Sequence, residues 1–174
     1  MSRRVVVPAL LVLVVVAGVG LYLFQPWKAF TDTAVNEALP GVSAPAAVPE
    51  ASASEEPSGP VDLVKGSFVS HAHDTEGTAR VVRLADGGQV LRLEGLDTSD
   101  GPDVRVYLSA RSAREARDGL GGGAVELGRL KGNLGDQNYA VPAGTEVSGF
   151  RSVVIWCKRF SVSFGAADLS AVKS

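Results

Sequence analysis

The chain contains few cysteine, methionine and aromatic residues. Of its 174 residues one is cysteine and one is methionine, and aromatic residues make up 6%. A single cysteine excludes an internal disulfide framework, which exported domains of this size commonly use. Cys157 is therefore either a small apolar side chain in the core or a reactive thiol, and both interpretations stay open at this point.

The longest part of the chain, residues 61–174, has no excess of positive or negative charge. Residues 61–174 contain 14 lysines and arginines and 14 aspartates and glutamates. Without a basic stripe the sequence predicts no nucleic-acid partner. It also has no nucleophile elbow, zinc-protease motif or dinucleotide fingerprint. We therefore expect a protein that is not an enzyme, and we identify no cofactor from the sequence.

The N-terminus carries the one long apolar run. Residues 5–24 contain no charge, Arg3 and Arg4 precede them, and Lys28 follows them. A helix of 20 residues is about 30 Å long, which matches the hydrocarbon thickness of a bilayer. A cleaved signal peptide is the alternative, but its apolar run is usually shorter. We predict an uncleaved single-pass anchor over residues 1–28, with a cytoplasmic N-terminus and an extracytoplasmic C-terminal domain in the cell membrane.

Residues 29–60 differ from the rest in composition. They are rich in alanine, proline, serine and glutamate, and residues 31–60 contain acidic residues and no basic one. Such a segment buries too little apolar surface to offset the entropy lost on ordering. The sequence therefore predicts a disordered linker between the anchor and a single domain over residues 61–174.

Alternating apolar and polar residues dominate that domain. Three segments show the alternation and predict half-buried strands: residues 77–84, 89–94 and 104–109. Asp86-Gly87-Gly88 predicts a hairpin turn between the first two, because aspartate and glycine adopt left-handed backbone at low cost. Only residues 112–118 have helical spacing. The pattern indicates an all-β domain, an antiparallel sandwich or barrel-like fold with one short helix.

Cys157 ends the most apolar segment of the domain. Residues 153–157 are apolar on both faces, which predicts a central covered strand, and the pattern breaks at Lys158 and Arg159. A turn there places Cys157 at a strand end, where its side chain could reach solvent. The two cations could then favour the thiolate, with Trp156 as a further tuning residue. A packed, inert cysteine is the alternative.

Two other segments carry weaker signals. His71 and His73 share a face if their segment is a strand, and with Cys157 they could form a metal site or a haem-carrying site, but two histidines alone are a weak metal site. Glycines alternate with polar residues over 128–139. Because a Walker pattern and a following helix are missing there, we predict a structured loop rather than a phosphate-binding loop.

An ordered set of motifs adds a family resemblance. The motifs are Gly66-Ser67-Phe68, His71-Ala72-His73, Gly77-Thr78-Ala79, Leu91-Arg92-Leu93, Gly101-Pro102-Asp103, Val106-Tyr107-Leu108-Ser109, residues 127–133, residues 135–139 and residues 152–157. Together they resemble the DM-thirteen domain, an extracellular all-β module that also occurs in Skeletor-like proteins. The resemblance covers about residues 66–169, and the anchored single-domain layout resembles bacterial members. It implies a part in electron transfer through the family cysteine, which corresponds to Cys157 here.

Three functional hypotheses follow. In the first, Cys157 exchanges electrons or a sulfur-linked intermediate with a separate redox or envelope protein; this role requires a sulfur that can be reached from outside. In the second, the domain is a non-catalytic envelope-binding or structural module with an inert cysteine, and loops near residues 101–103 and 135–139 form its recognition surface. The third is the metal or haem carrier.

Overall fold

The structure is a computed structural model that describes residues 3–25, 31–41 and 59–172. Its elements in chain order are helix α1 (Arg3–Phe24), strands β1 (Ala34–Asn36), β2 (Val61–Ser70), β3 (Glu76–Arg83), β4 (Gln89–Asp97) and β5 (Val104–Ser109), helix α2 (Ala113–Ala116), and strands β6 (Val125–Arg129), β7 (Leu134–Ala140), β8 (Ser152–Cys157), β9 (Val162–Asp168) and β10 (Ser170–Ala171). A short 3-10 turn, Val147–Gly149, precedes β8. The all-β prediction with one short helix in the domain is confirmed.

Helix α1 takes up most of the segment that we predicted to be an anchor. It contains 22 residues. Within residues 3–25, 31–41 and 59–172, no helix combines the length and apolar character needed to cross a membrane. The predicted transmembrane anchor over residues 1–28 thus gains no support from the structure, and residues 1, 2 and 26–28 lie outside the described residues.

The ten strands form one curled sheet that resembles half a barrel. The strand order is β1-β7-β4-β3-β2-β9-β8-β5-β6, and β10 pairs with β2. All pairings are antiparallel except that between β1 and β7. The barrel-like alternative of our fold prediction therefore describes this sheet, and the two-sheet sandwich does not.

Strand β2 turns the corner of the curled sheet. Its first part pairs with β3 as far as Ser67, and its last residues, from Phe68 to Ser70, pair with β9 instead. Gly66 lies at this transition, where a Cβ atom would overlap the backbone carbonyl of Asp168. The absence of a side chain at Gly66 thus lets β2 pass close to the end of β9 and connect the two halves of the sheet.

Strand β1 comes from the segment that we expected to be a disordered linker. Residues 34–36 pair in parallel with residues 134–136 of β7. The expectation of disorder over 29–60 is wrong for these residues, because an edge strand gains its hydrogen bonds from the neighbouring backbone and needs little apolar surface of its own. Residues 42–58 of the predicted linker lie outside the described residues.

Two clusters of buried side chains cover the two faces of the sheet. The inner cluster fills the barrel and includes Leu91, Leu93, Val106, Ile155 and Cys157. The outer cluster lies on β5, β8 and β9, where α2 and the segment after it pack against Tyr107 and Trp156. Alternate residues of β8 therefore enter different clusters, and this explains why its sequence is apolar on both faces.

Candidate functional site

Cys157 is fully buried. It is the last residue of β8, a strand in which all six residues are buried, and its own exposure is 0%. Its register partners are Val104 on β5 and Val162 on β9, and all three residues belong to the inner cluster or pack against it. The sulfur thus lies inside the barrel among apolar side chains.

The turn after β8 is where we predicted it, but it does not expose the thiol. Residues 158–161 form an exposed turn, directly after Cys157. The prediction that a strand end brings Cys157 to solvent is wrong in this fold. Residues 153, 155 and 157 point into the barrel, and the inner cluster extends to this end of the strand through Val104 and Phe164. A residue at the end of a strand can still point into the core, because successive side chains alternate between the two faces of the sheet.

Lys158 directs its charge to the outer face of the sheet. Its backbone N–H donates to the Asp103 carbonyl at 2.9 Å, and its Nζ donates to Glu126 Oε2 at 3.1 Å. The same carboxylate oxygen accepts a hydrogen bond from the Tyr107 hydroxyl, a residue of the outer cluster. Arg159 is exposed in the turn. Tuning of the Cys157 thiol by these two cations stays a prediction.

Trp156 lies on the face of β8 opposite to Cys157. Its register partners are Arg105 and Ser163, and its ring packs in the outer cluster with an exposure of 8%. The peptide group between residues 156 and 157 separates the indole from the sulfur, and the two side chains enter different clusters. A tuning role for Trp156 also stays a prediction.

A charged cluster around Glu126 was not apparent from the sequence. Arg105 and Lys158 form ion pairs with Glu126, and the Tyr107 hydroxyl donates to it at 2.7 Å. The Tyr107 hydrogen bond and the two cations lower the pKa of Glu126 to about 2, against the opposing effect of burial. Burial, and then the Glu126 carboxylate, raise the pKa of Tyr107. At neutral pH this arrangement holds a charged carboxylate and a protonated phenol.

The two histidines lie in different environments. His71 Nδ1 is 2.7 Å from Ser163 Oγ, and burial together with the charge of Arg117 lowers the pKa of His71. The His73 ring lies against the Phe164 ring, with centroids 3.9 Å apart. In the part of the chain that the structure describes, no group of three or more histidine, cysteine, aspartate or glutamate side chains could hold a metal ion. His71, His73 and Cys157 thus do not form the metal site of our third hypothesis.

Most of residues 128–139 lie in strands, and residues 130–133 connect them. Residues 128 and 129 end β6, and residues 134–139 belong to β7. The short connection between them is fixed by buried Gln137, whose Nε2 donates to the Gly132 carbonyl at 2.6 Å and whose Oε1 accepts from the Tyr139 hydroxyl at 2.7 Å. The predicted structured loop is therefore limited to residues 130–133, because pairing with β5 and β4 places the residues on either side in strands.

A family match covers the barrel. Residues 67–169, which are more than half of the chain, match the family model described as Electron transfer DM13. No match was found among curated proteins or among solved structures. The matched range extends from β2 through β9 and includes the Cys157 strand, the Glu126 cluster and both histidines. The chain therefore belongs to the electron transfer DM13 family.

Proposed function

We propose that this domain takes part in electron transfer with a separate redox partner. The observation that carries the proposal is the family match over residues 67–169. The family resemblance ties the activity to a cysteine, and Cys157 is the one cysteine of the chain. Cys157 is therefore the candidate redox group of the proposal.

The burial of Cys157 restricts the way in which it can react. Thiol–disulfide exchange requires a thiolate to approach the sulfur of its partner, and a fully covered side chain does not allow this approach. A sulfur-linked reaction at Cys157 thus requires local opening of the barrel at the end of β8. The proposal is that the resting fold protects the thiol and that opening makes it available.

Two features of the turn after β8 support such opening. Residues 158–161 are exposed, so the end of β8 has solvent-exposed backbone next to it. Ser161 has a φ of 53°, a left-handed conformation that costs a non-glycine residue about 1 kcal/mol. Segments with few buried contacts open at a lower free energy than central strands do. The β8–β9 turn is therefore the part of the barrel where we expect access to Cys157.

The same turn offers a contact surface to a partner. Lys158 and Arg159 are exposed, and the Phe160 side chain is 47% exposed. Cations next to an exposed aromatic ring suit a partner protein with an acidic contact surface, because complementary charge speeds up encounter. We propose that the redox partner docks on this turn.

A second candidate function is a non-catalytic binding or structural module of the cell envelope. The observation that favours it is the 0% exposure of Cys157 within an apolar cluster. In this alternative the sulfur only fills core volume, and it becomes reactive only when the whole domain unfolds. The two functions thus differ in how Cys157 becomes accessible.

Glutathione disulfide distinguishes the two functions. In the reaction, the Cys157 thiolate attacks one sulfur of glutathione disulfide, a protein–glutathione disulfide forms, and glutathione thiolate leaves. The folded full chain is incubated without denaturant and analysed by mass spectrometry. Electron transfer through Cys157 predicts a slow adduct that is absent from Cys157→Ala. A folded chain that forms no adduct over many hours would favour the inert module.

A matched control gives the rate of a freely exposed thiol. Ser67 is exposed on β2, within the same family range as Cys157. The Ser67→Cys change in a Cys157→Ala background places one thiol at the surface. We expect this thiol to react at the rate of a free cysteine, and the ratio of the two rates measures the protection of Cys157.

The cellular location of the domain is a further proposal. Membrane attachment through residues 1–28 and an extracytoplasmic domain are predictions from the sequence. Cell fractionation, followed by protease treatment of intact cells, tests them with the full chain. A domain that stays in the membrane fraction and is digested from outside would support both predictions, and a protected domain in the soluble fraction would contradict them.

A further inference from the structure

A segment from outside the family range occupies one edge of the barrel. Strand β1 pairs with β7 in parallel register, with Val35 opposite Gly135, and it precedes the matched range by about 30 residues of sequence. The Leu134 N–H donates to the Thr33 carbonyl at 3.2 Å, and the Glu37 N–H donates to the Asp136 carbonyl at 2.9 Å. The edge of β7 therefore binds residues 33–37 through their backbone.

Two glycines make room for this segment. A Cβ atom on Gly132 would overlap the Thr33 carbonyl oxygen, and a Cβ atom on Gly135 would overlap the Val35 carbonyl oxygen. Any larger residue at these two positions would push the incoming backbone away from β7. The edge of the domain is thus shaped for a close backbone approach.

A buried asparagine contacts the beginning of the segment. Asn133 has an exposure of 2%. Its Oδ1 accepts from the Thr33 N–H at 2.7 Å, and its Nδ2 donates to Asp32 Oδ1 at 2.8 Å. The same Nδ2 donates to the Thr98 carbonyl at 2.9 Å, which fixes the orientation of the amide. The barrel therefore presents a fixed donor and acceptor to the segment.

Charged groups contact the end of the segment. Lys131 Nζ lies 2.7 and 2.8 Å from the two carboxylate oxygens of Glu37, and the Asn138 N–H donates to Glu37 Oε2 at 2.8 Å. Arg92 Nη1 donates to the Glu37 carbonyl at 2.9 Å, and Asn138 Nδ2 donates to the Ala38 carbonyl at 2.8 Å. The position of Glu37 thus favours a carboxylate, since two donors, the Lys131 ammonium and the Asn138 N–H, bond to its oxygens.

We propose that the β7 edge is a binding site for an extended acidic peptide, and that residues 32–38 are its ligand, supplied by the same chain. Binding adds a parallel strand to an existing sheet, with backbone hydrogen bonds for affinity and the carboxylate at position 37 for register. Because the ligand is part of the chain, its effective concentration is high, and a peptide of the same chemistry can bind only when the chain's own segment is released. The segment is therefore a built-in competitor at this edge.

A charge reversal in the full chain releases the chain's own segment. In Glu37→Lys the new ammonium faces Lys131, so we expect the segment to leave β7. Hydrogen exchange at the Leu134 amide reports the release directly, because that N–H is bonded to the Thr33 carbonyl, which Glu37→Lys does not change. A Leu134 amide as protected in Glu37→Lys as in the unchanged chain would overturn the proposed role of the carboxylate.

A labelled synthetic peptide of residues 31–41 then tests the site itself. We expect it to bind the Glu37→Lys chain at least about tenfold more tightly than the unchanged chain, where the built-in segment competes. Adding Lys131→Glu to Glu37→Lys restores opposite charges at the two positions, so we expect the chain's own segment to return to β7 and binding of this peptide to be lost. A Glu37→Lys chain whose released edge does not bind the peptide would overturn the proposal.

Gly132→Ala provides the matched control. Gly132 does not require left-handed backbone, and its Cβ atom would meet the incoming Thr33 carbonyl rather than the barrel interior. We expect the Gly132→Ala, Glu37→Lys chain to keep its circular dichroism spectrum and to lose the peptide. A peptide of scrambled sequence controls for charge alone, and equal binding of the two peptides would also contradict the proposal.

Discussion

Cys157 and Lys158 are consecutive residues whose functional groups lie on opposite sides of the sheet. The Cys157 side chain is buried in the barrel, and Lys158 Nζ lies 3.1 Å from Glu126 Oε2 on the outer face. A cation favours a thiolate only where its charge is close to the sulfur. Adjacency in the sequence therefore does not by itself place the charge of Lys158 beside the sulfur, and access to Cys157 is the step on which its chemistry depends.

The loss of stability on replacing Cys157 should depend on the polarity of the new side chain. Cys157→Ala leaves a small cavity in the inner cluster, and we expect a loss of about 1 kcal/mol in the free energy of unfolding. Cys157→Ser places a hydroxyl among apolar side chains, which should cost about 2 kcal/mol more. Urea denaturation measures the free energy of unfolding of both variants. Ser67→Ala, at an exposed position, is the control, and we expect it to leave that free energy nearly unchanged. Equal stability of the Ala and Ser variants would contradict an apolar site.

The Glu126 cluster should make stability depend on pH. The folded pKa of Glu126 is about 2, below its value in the unfolded chain, so its contribution is present above about pH 4.5 and disappears as the pH falls towards 2. We expect Glu126→Gln to be about 1 kcal/mol less stable than the unchanged chain at pH 7, since partly exposed ion pairs contribute little. The difference should vanish near pH 2.

Thermal unfolding over this pH range measures the effect of Glu126. Glu146→Gln, on an exposed residue before the short 3-10 turn, is the matched control and removes one carboxylate elsewhere. A Glu126→Gln difference that stays constant from pH 7 to pH 2 would show that the loss comes from packing rather than from charge.

Arg92 should be one of the charged residues on which stability depends most. Its side chain is 9% exposed, and it forms ion pairs with Glu94 at 2.7 Å and with Asp136 at 2.8 Å. Removing one partner from a buried network leaves the others unpaired, and we expect Arg92→Ala to cost about 3 kcal/mol. Exposed Arg83→Ala should stay within about 0.5 kcal/mol. Similar losses for the two variants in urea denaturation would contradict this account.

Local patterns in the sequence predicted several elements of the barrel. Asp86-Gly87-Gly88 forms the turn between β3 and β4, where the Gly88 N–H donates to Asp86 Oδ1 at 2.8 Å. Helix α2 lies within residues 112–118, where the spacing predicted a helix, and the covered strand before Lys158 is β8. These elements were predictable because turn chemistry and the spacing of apolar residues act over a few residues.

The features that the sequence did not reveal depend on contacts between distant residues. Whether Cys157 points inward follows from the register of β8 with β5 and β9 and not from its own neighbours. The carboxylate of Glu126 meets Lys158 across 32 positions of sequence, and Glu37 meets Lys131 across 94. Strand β1 binds through its backbone, so its composition resembled a linker. Pairing over such distances leaves no local pattern.

The measurement that tests the central claim most directly is the labelling rate of Cys157 in the folded full chain as urea increases. A maleimide reagent labels the thiol only when it is exposed, so the rate, compared with that of Ser67→Cys in the Cys157→Ala background, gives the free energy of the opening that exposes it. Our account predicts an opening free energy well below that of global unfolding and nearly independent of urea. An opening free energy equal to that of global unfolding, with the same dependence on urea, would contradict a redox role for Cys157 and leave the inert module.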